Sequence, residues 1–493
     1  MSRARCHESL LRNAILAVLV AAAGPAAAGS PSEPGPVPPS PARPADLPPP
    51  PPPPTRAPIA VPAGFQRGNP LTLAQVLDVA LRVNPETRAA WQRAISAAQE
   101  VGVQRAAYYP DLDLEADASR VQSTALGGRF STLENVYGAS INLNYLLIDF
   151  GGRRGDLDEA RNLLLAADWT HSAAIQNLIL RVEVAYYSYL ESKAGLEASA
   201  TTVQELRTAL EAAETRHDAG VATIADVLQA RTVLSRAELN YLTIEGGMQA
   251  LRGALATAVG VPPDTPFEVG NLPEIGAPEQ LDEEVSQLVA TSAAKRPDLA
   301  AARLRTAAAE SHVKSVRSEG LPTLSLGAGA GRAWFDPWSV EPYGDAWSVA
   351  LLFRYPLFTG FENTYKLRQA ESDARIAADL AEALEQQALL DTWTSYYDLK
   401  TATKKIATSR DLLASAEENE KVALGRYKEG VGSVLDLLTA QSLLASARAD
   451  EIKARADWLI AVARLARDTG TLTVQAAGEV VPSAAGKETD AQH

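Results

Sequence analysis

Two hydrophobic rhythms alternate along this chain. In the first, apolar positions step by three and four. Positions 175, 178, 182, 185, 189, 192, 196, 199, 203, 206, 210 and 213 carry Ile, Leu, Val, Ala, Tyr, Ser, Leu, Ser, Val, Leu, Leu and Ala. Only Ser192 and Ser199 interrupt this seam, whose spacing is that of a coiled coil. A weaker seam returns through Leu399, Ala402, Ile406, Leu413 and Ala416. No proline falls between Pro110 and Pro262, or between Pro356 and Pro482, so no proline breaks a helix there. The rhythm predicts a helix from about Gly155 to Ala219, roughly 65 residues and about 100 Å at 1.5 Å per residue. A globular domain does not need such a length; a long tube or coiled coil does.

The second rhythm has period two. Leu112, Leu114 and Ala116 alternate with Asp113, Glu115 and Asp117. Ala139, Ile141, Leu143, Tyr145 and Leu147 alternate with Ser140, Asn142 and Asn144, and Leu324, Leu326 and Ala328 with Ser325, Gly327 and Gly329. A fourth run, Val349, Leu351, Phe353 and Tyr355, alternates less cleanly because Leu352 breaks its polar face. Each run is about ten residues, the length of a tilted membrane strand. A small soluble sheet with one face on a core gives the same alternation.

The two rhythms are written twice. Arg216-His217-Asp218-Ala219-Gly220-Val221 recurs 210 residues later as Arg426-Tyr427-Lys428-Glu429-Gly430-Val431, and Tyr186-Tyr187 as Tyr396-Tyr397. Upstream the offset is 212: Asn84-Pro85-Glu86 answers to Arg296-Pro297-Asp298. The change in offset places a loop in each copy, near Ser123–Asn135 and Ala333–Ala346, where length changes are tolerated. Each copy reads as helix, strand pair, long helix, tip and returning helix. At each tip a glycine supplies the left-handed stop. Thr223-Ile224-Ala225-Asp226 and Ser433-Val434-Leu435-Asp436 then fit the capped start of the next helix. The returning helices are expected to end near Gly260 and Gly470. The expected segments are a first repeat over 67–270, a second over 271–472 and a disordered tail over 473–493.

The amino terminus is organised differently. Arg3, Arg5 and Arg12 precede the apolar run Ala14–Ala23, and Ala26-Ala27-Ala28 follows. That order is a secretory signal, expected over 1–28, with an apolar run too short to span a bilayer. Cys6, the one cysteine, lies before the apolar run, a poor place for a lipid attachment site. Residues 29–66, with seven consecutive prolines at Pro48–Pro54, read as a semi-rigid proline-rich linker.

Composition removes several classes. A net charge of −14 argues against nucleic-acid binding. A single cysteine excludes a disulfide framework and a four-thiolate metal site, and the five histidines are scattered. No metal or other cofactor is expected. No phosphate-loop lysine follows the glycine-rich Gly327–Gly331, and no nucleophile elbow is present, so the chain does not read as an enzyme.

Edge arithmetic favours the membrane for the strands. Four strands cannot close a membrane barrel, and open edges in lipid are very costly. Three chains would supply twelve. Asp113, Glu115 and Asp117 would then line a water-filled pore. Trp334, Trp338, Tyr343 and Trp347 fit an interfacial aromatic girdle, or a hydrophobic cluster within the loop.

With these elements in place, the chain resembles the TolC family of outer-membrane efflux proteins over about residues 70–470. The resemblance rests on Leu71-Thr72-Leu73 through Asn84-Pro85, on Tyr145 to Gly152, and on Gly220-Val221 and Gly430-Val431 with Asp226-Val227-Leu228 and Asp436-Leu437-Leu438. It implies a mainly α protein with a membrane β-barrel: a homotrimer whose 12-strand barrel in the outer-membrane lipid is continuous with a 12-helix periplasmic tunnel. It implies two partners besides further copies of the chain, a periplasmic adaptor and an inner-membrane pump.

The resemblance places the adaptor at the tips, Gly220, Val221, Gly430 and Val431, where helix capping alone also accounts for the glycines. It places a periplasmic gate at Asp436, Tyr427 and Asp226. Tyr427 matches the family's linking tyrosine and Asp226 its acceptor, and three Asp436 carboxylates meet at the axis. Both aspartates also fit as helix caps. The family's linking arginine is replaced by Gly432 and its second acidic ring by Thr439. Thr359-Gly360-Phe361 stands where Asp149-Phe150-Gly151 stands in the first copy, which predicts an altered strand-to-helix turn. A periplasmic coiled-coil adaptor would carry one hairpin in a small β domain, not two tandem copies. A structural coiled-coil protein would not need the strands. Cargo is left open among drugs, metals and proteins.

Overall fold

The computed structural model of the chain describes residues 70–125, 130–276, 284–336 and 343–473. The expected leader, the proline-rich linker, all but the first residue of the tail, and Trp338 lie outside the described residues. The first copy contains α1 (Leu73–Val83), α2 (Pro85–Ala106), β1 (Asp111–Ala125), β2 (Phe130–Ile148), α3 (Gly152–Asp218) and α4 (Ile224–Val259). The second contains α5 (Val285–Lys295), α6 (Pro297–Ser318), β3 (Thr323–Asp336), β4 (Tyr343–Arg354), α7 (Glu362–Lys428) and α8 (Val434–Asp468). The order matches element for element, and α3 and α7 are both 67 residues long. The chain divides into a strand unit, built on Val103–Arg154 and Lys314–Lys366, and a helical unit that includes Gly155–Val313.

In the strand unit, β1 to β4 form one antiparallel sheet in the order β1-β2-β3-β4. The register separates two faces. Asp113 lies opposite Asn142, Asn142 opposite Gly329, and Gly329 opposite Ser348. On the other face Leu114, Ile141, Ala330 and Trp347 form the adjacent row. The apolar face is bare in the single chain: Leu114 is 78% exposed and Trp347 81%. The polar face is flattened by glycine. The Asp117 carboxylate occupies the place a Cβ on Gly138 would take, and the Asn142 amide crowds that of Gly329. Asn142 also donates to Glu115 Oε2 at 3.4 Å and to Ser140 Oγ at 3.3 Å.

The strands run past their alternating segments. Ser123–Ala125 and residues 130–135, expected as loop, extend β1 and β2, with Ala125 opposite Phe130. Residues 333–336 and 343–346 likewise extend β3 and β4. A main-chain ladder needs no apolar alternation to continue, so the periodicity stopped before the pairing did.

The strand-to-helix elbows also differ from expectation. Both copies turn through two successive residues with positive φ: Phe150 at 51° and Gly151 at 105°, then Gly360 at 64° and Phe361 at 68°. The backbone turn is kept while glycine and phenylalanine exchange places. Each elbow therefore holds one phenylalanine in the left-handed region, and both side chains are exposed. In the first elbow Arg153 donates to the carbonyls of Ala107, Leu146 and Leu147 at 3.2, 2.7 and 3.2 Å and pairs with Asp149 at 3.3 Å.

The helical unit has its main core where α1 and the loop after α4 pack on α3. Leu77, Leu178, Ile179, Val182, Leu190 and Leu255 are almost fully buried there. Every seam position from Ile175 to Ala213 is buried or half-buried. α1 starts with a capping box between Thr72 and Gln75. After α4, Gly260 takes φ 97°, and a Cβ there would lie 3.0 Å from Asn84 Cα. After α8, Gly470 takes φ 73°, and a Cβ would lie 2.7 Å from the Lys295 carbonyl carbon. The copies brace this level with different charges. Glu86 pairs with Arg181 at 2.6 Å in the first. In the second, Asp391 stands where Arg181 stood, and buried Arg296 bridges it to Asp298 at 3.2 and 2.7 Å.

One carboxyl has no such partner. Glu183 is 2% exposed and its Oε2 makes no hydrogen bond. Burial raises its pKa from 4.5 to about 7. Between about pH 4.5 and 7 the native state therefore holds a proton that the unfolded chain has lost, and stability should fall as pH rises through that window. Glu183→Gln should flatten that fall and raise stability above pH 7 by the order of 1–3 kcal/mol, read from thermal unfolding followed by circular dichroism. Gly470→Ala should lower stability by more than about 1 kcal/mol in the same assay, because it adds both a clash and a strained φ.

Candidate functional site

Each hairpin tip is made by a helix stop and a capped restart. α3 ends as Gly220 enters φ 77°, with the Gly220 N–H donating to His217 O at 2.8 Å and the Val221 N–H to Arg216 O at 2.9 Å. α7 ends the same way at Gly430, φ 78°, with the Gly430 N–H on Tyr427 O at 3.1 Å and the Val431 N–H on Arg426 O at 3.0 Å. The valines that follow are not packed: Val221 is 68% exposed and Val431 69%. Both apolar side chains are held out on the turns as surface rather than as part of the core.

The restarts use the two aspartates. Asp226 N–H donates to Thr223 Oγ1 at 3.3 Å, while Asp226 Oδ2 accepts from both Thr223 N–H and Thr223 Oγ1 at 2.9 Å. The backbone hydrogen bond from Thr223, then its hydroxyl, holds the Asp226 carboxyl below the usual range. Asp436 repeats the box with Ser433 at 3.1 and 3.4 Å. Both carboxylates thus act as caps, and each keeps lone pairs for further donors.

Tyr427 is buried among Leu206, Val227, Val434, Leu437 and Leu438, so its ring belongs to the core that joins the two hairpins. Its visible partner is Arg216 from the other hairpin. The guanidinium sits 4.7 Å from the Tyr427 ring centroid and donates to the Tyr427 carbonyl at 2.5 Å. A groove of about 860 Å³ opens beside this contact, lined by Thr201, Thr208, Arg216, Leu424, Tyr427 and Leu437. Farther along, Arg448 of α8 forms two 3.1 Å hydrogen bonds to Glu205 of α3.

The single chain therefore gathers Gly220, Val221 and Asp226 in one turn, and Gly430, Val431 and Asp436 in the other. Arg216 is the residue that sequence reasoning passed over. Its signal in the sequence is the arginine at both 216 and 426, in the same repeated motif as the tip glycines. Gly432 has a local reason of its own: a Cβ there would lie 3.0 Å from both Arg426 Cβ and Tyr427 N.

Asp113, Glu115 and Asp117 share the polar face of the sheet with Ser140, Asn142 and the glycines, as the alternation required. Among the described residues no cluster of His, Cys, Asp or Glu could hold a metal ion, and no helix is long and apolar enough to cross a membrane.

These features have close counterparts. The sequence profile of the outer membrane efflux protein family matches residues 76–261 and 288–471, one match in each copy. The chain is similar to protein CyaE of Bordetella pertussis, 31% identical over 422 residues that cover 83% of this chain and 87% of that one. It is similar to the outer membrane efflux protein BepC of Brucella suis, 24% identical over 383 residues, 77% and 81% of the two chains. The fold matches the crystal structure of the outer membrane protein VceC from Vibrio cholerae with a TM-score of 0.71 at 23% identity, covering 81% of this chain and 96% of that one. The chain belongs to the outer membrane efflux protein family and is an outer-membrane exit duct for efflux or secretion.

Proposed function

We propose that three copies of the chain assemble into the working duct. The carrying observation is the sheet: one bare apolar face, one acidic and amide face, and unpaired outer edges on β1 and β4. Three such sheets joined edge to edge make a twelve-strand barrel with lipid outside and Asp113, Glu115 and Asp117 around the lumen. Tyr343 and Trp347 at the loop end, and Phe150, Tyr355, Phe358 and Phe361 at the other, are all exposed and supply an aromatic belt at each interface. The long helices of three copies make the twelve-helix tunnel.

The tips are the face offered to a periplasmic adaptor, with an inner-membrane pump supplying cargo. The exposed Val221 and Val431 support this reading. The same ends carry the gate. Asp226 has lone pairs left for a hydrogen bond from the Tyr427 hydroxyl, and three Asp436 carboxylates around a three-fold axis favour a bound cation. One net hydrogen bond is worth about 0.5–1.5 kcal/mol, up to about 3 if charged, so each latch is a small bias toward closure.

Outer-membrane extracts should contain a heat-modifiable trimer; a folded single chain in that fraction would reject the assembly. Val221→Asp with Val431→Asp should abolish export while leaving the trimer intact, and unimpaired export would move docking elsewhere. In planar bilayers Tyr427→Phe should raise single-channel conductance, and Asp436→Ala should relieve block by trivalent cations added from the periplasmic side. If both variants match wild type, Asp226 and Asp436 are caps and nothing more.

A further inference from the structure

The duplication sets up one tip contact twice, and a single chain completes it once. In the completed copy, Arg216 covers the Tyr427 ring and donates to the Tyr427 carbonyl. That carbonyl already accepts the Gly430 N–H at 3.1 Å, so the guanidinium takes its second lone pair. It lies at the end of α7, where the helix dipole favours a cation. Gly430 leaves room: a Cβ there would lie 3.4 Å from Arg216 Nη2.

Each part recurs 210 residues away. Arg426 stands for Arg216, the His217 ring for the Tyr427 ring, and Gly220 for Gly430. The His217 carbonyl accepts the Gly220 N–H at 2.8 Å, as the Tyr427 carbonyl accepts that of Gly430. The His217 ring is oriented by a 3.0 Å contact between Nδ1 and Ala222 O. Yet the second contact is unmade. Arg426 is exposed, and among the described residues its side chain has no hydrogen-bond or ion-pair partner. Tyr427 is buried under its arginine, while His217 is only half-buried and the space above Gly220 is open.

We propose that Arg426 lies over the His217 ring of a neighbouring copy and donates to the His217 carbonyl of that copy. This rests on the three-chain assembly proposed above. If hairpin 1 meets hairpin 2 within a chain as hairpin 2 meets hairpin 1 of the next chain, the step closes after six hairpins, and a head-to-tail contact that closes makes a ring. Arginine struts then alternate within and between copies around the tips. The Arg448–Glu205 ion pair between the hairpins does not propagate this way. The counterparts of Glu205 and Arg448 are Ser415 and Glu238, and Glu238 is already paired with Arg207 at 3.2 Å inside the first hairpin. The junction between copies thus lacks that ion pair, and the arginine strut supplies a polar tie near the tips.

The test uses paired cysteines in the full chain with Cys6→Ser, which leaves no other thiol. Arg426→Cys with His217→Cys, treated in outer membranes with a short bis-thiol reagent, should give covalently linked dimers and trimers on denaturing gels. Arg216→Cys with Tyr427→Cys should give internally linked single chains under the same treatment. Each sample is checked first for the heat-modifiable trimer. A trimer in which the Arg426/His217 pair yields only unlinked or internally linked single chains overturns the inference and leaves the assembly standing. A wild-type chain that shows no trimer overturns both. If the double variant does not assemble, the two single variants are co-expressed, one of them tagged. A mixed covalent dimer then supports the strut, and its absence from a heat-modifiable mixed trimer rejects it.

Discussion

The main-chain groups along the outer edges of β1 and β4 constrain everything else. In hydrocarbon each unpaired N–H or C=O costs several kcal/mol, and four strands cannot satisfy both edges by curling on themselves. Water offers no refuge, because the sheet then exposes the row of Leu114, Ile141 and Trp347. Only added strands resolve both problems, and further copies of the same chain are the simplest source. The polar face follows from the same register. With acids on β1, amides on β2 and glycines on β3, polar side chains lie down over neighbouring glycines, and that face stays hydrophilic.

Duplication explains why one chain contains such similar and such different halves. The backbone problems are solved twice with different residues. At the elbows two left-handed positions are kept while glycine and phenylalanine trade places. Above the main core, a Glu86–Arg181 pair is answered by Arg296 between Asp298 and Asp391. Divergence of this kind suits an assembly in which the two halves meet unlike neighbours. The tips changed less. Glycine, valine and the capping aspartate stand at equivalent places in both, because a stop and a restart within a few residues leave little choice.

The parts legible in the sequence were those written locally. Long helices announced themselves by an unbroken seam, the tips by glycine followed by a capping box, and the sheet faces by strict alternation. Strand ends were not legible, since a ladder continues on backbone hydrogen bonds where side-chain alternation has stopped. The elbow was not legible position by position, because the constraint acts on φ and either phenylalanine or glycine meets it at each place. Arg216 and Glu183 were missed for a different reason. Both depend on what lies across from them, a tyrosine 211 residues away for one and a dry core for the other. Seam and alternation patterns describe one element at a time.

The most direct test of the central constraint is a cysteine scan along β1 in intact outer membranes. If the sheet lines a closed barrel, cysteines at 113, 115 and 117 react with a small membrane-impermeant thiol reagent that enters the lumen. Fluorescent labels at 112, 114 and 116 are then quenched by brominated lipid, and no position shows both behaviours. Equal aqueous reactivity at odd and even positions, with no lipid quenching, would contradict a barrel and return the strands to a soluble sheet.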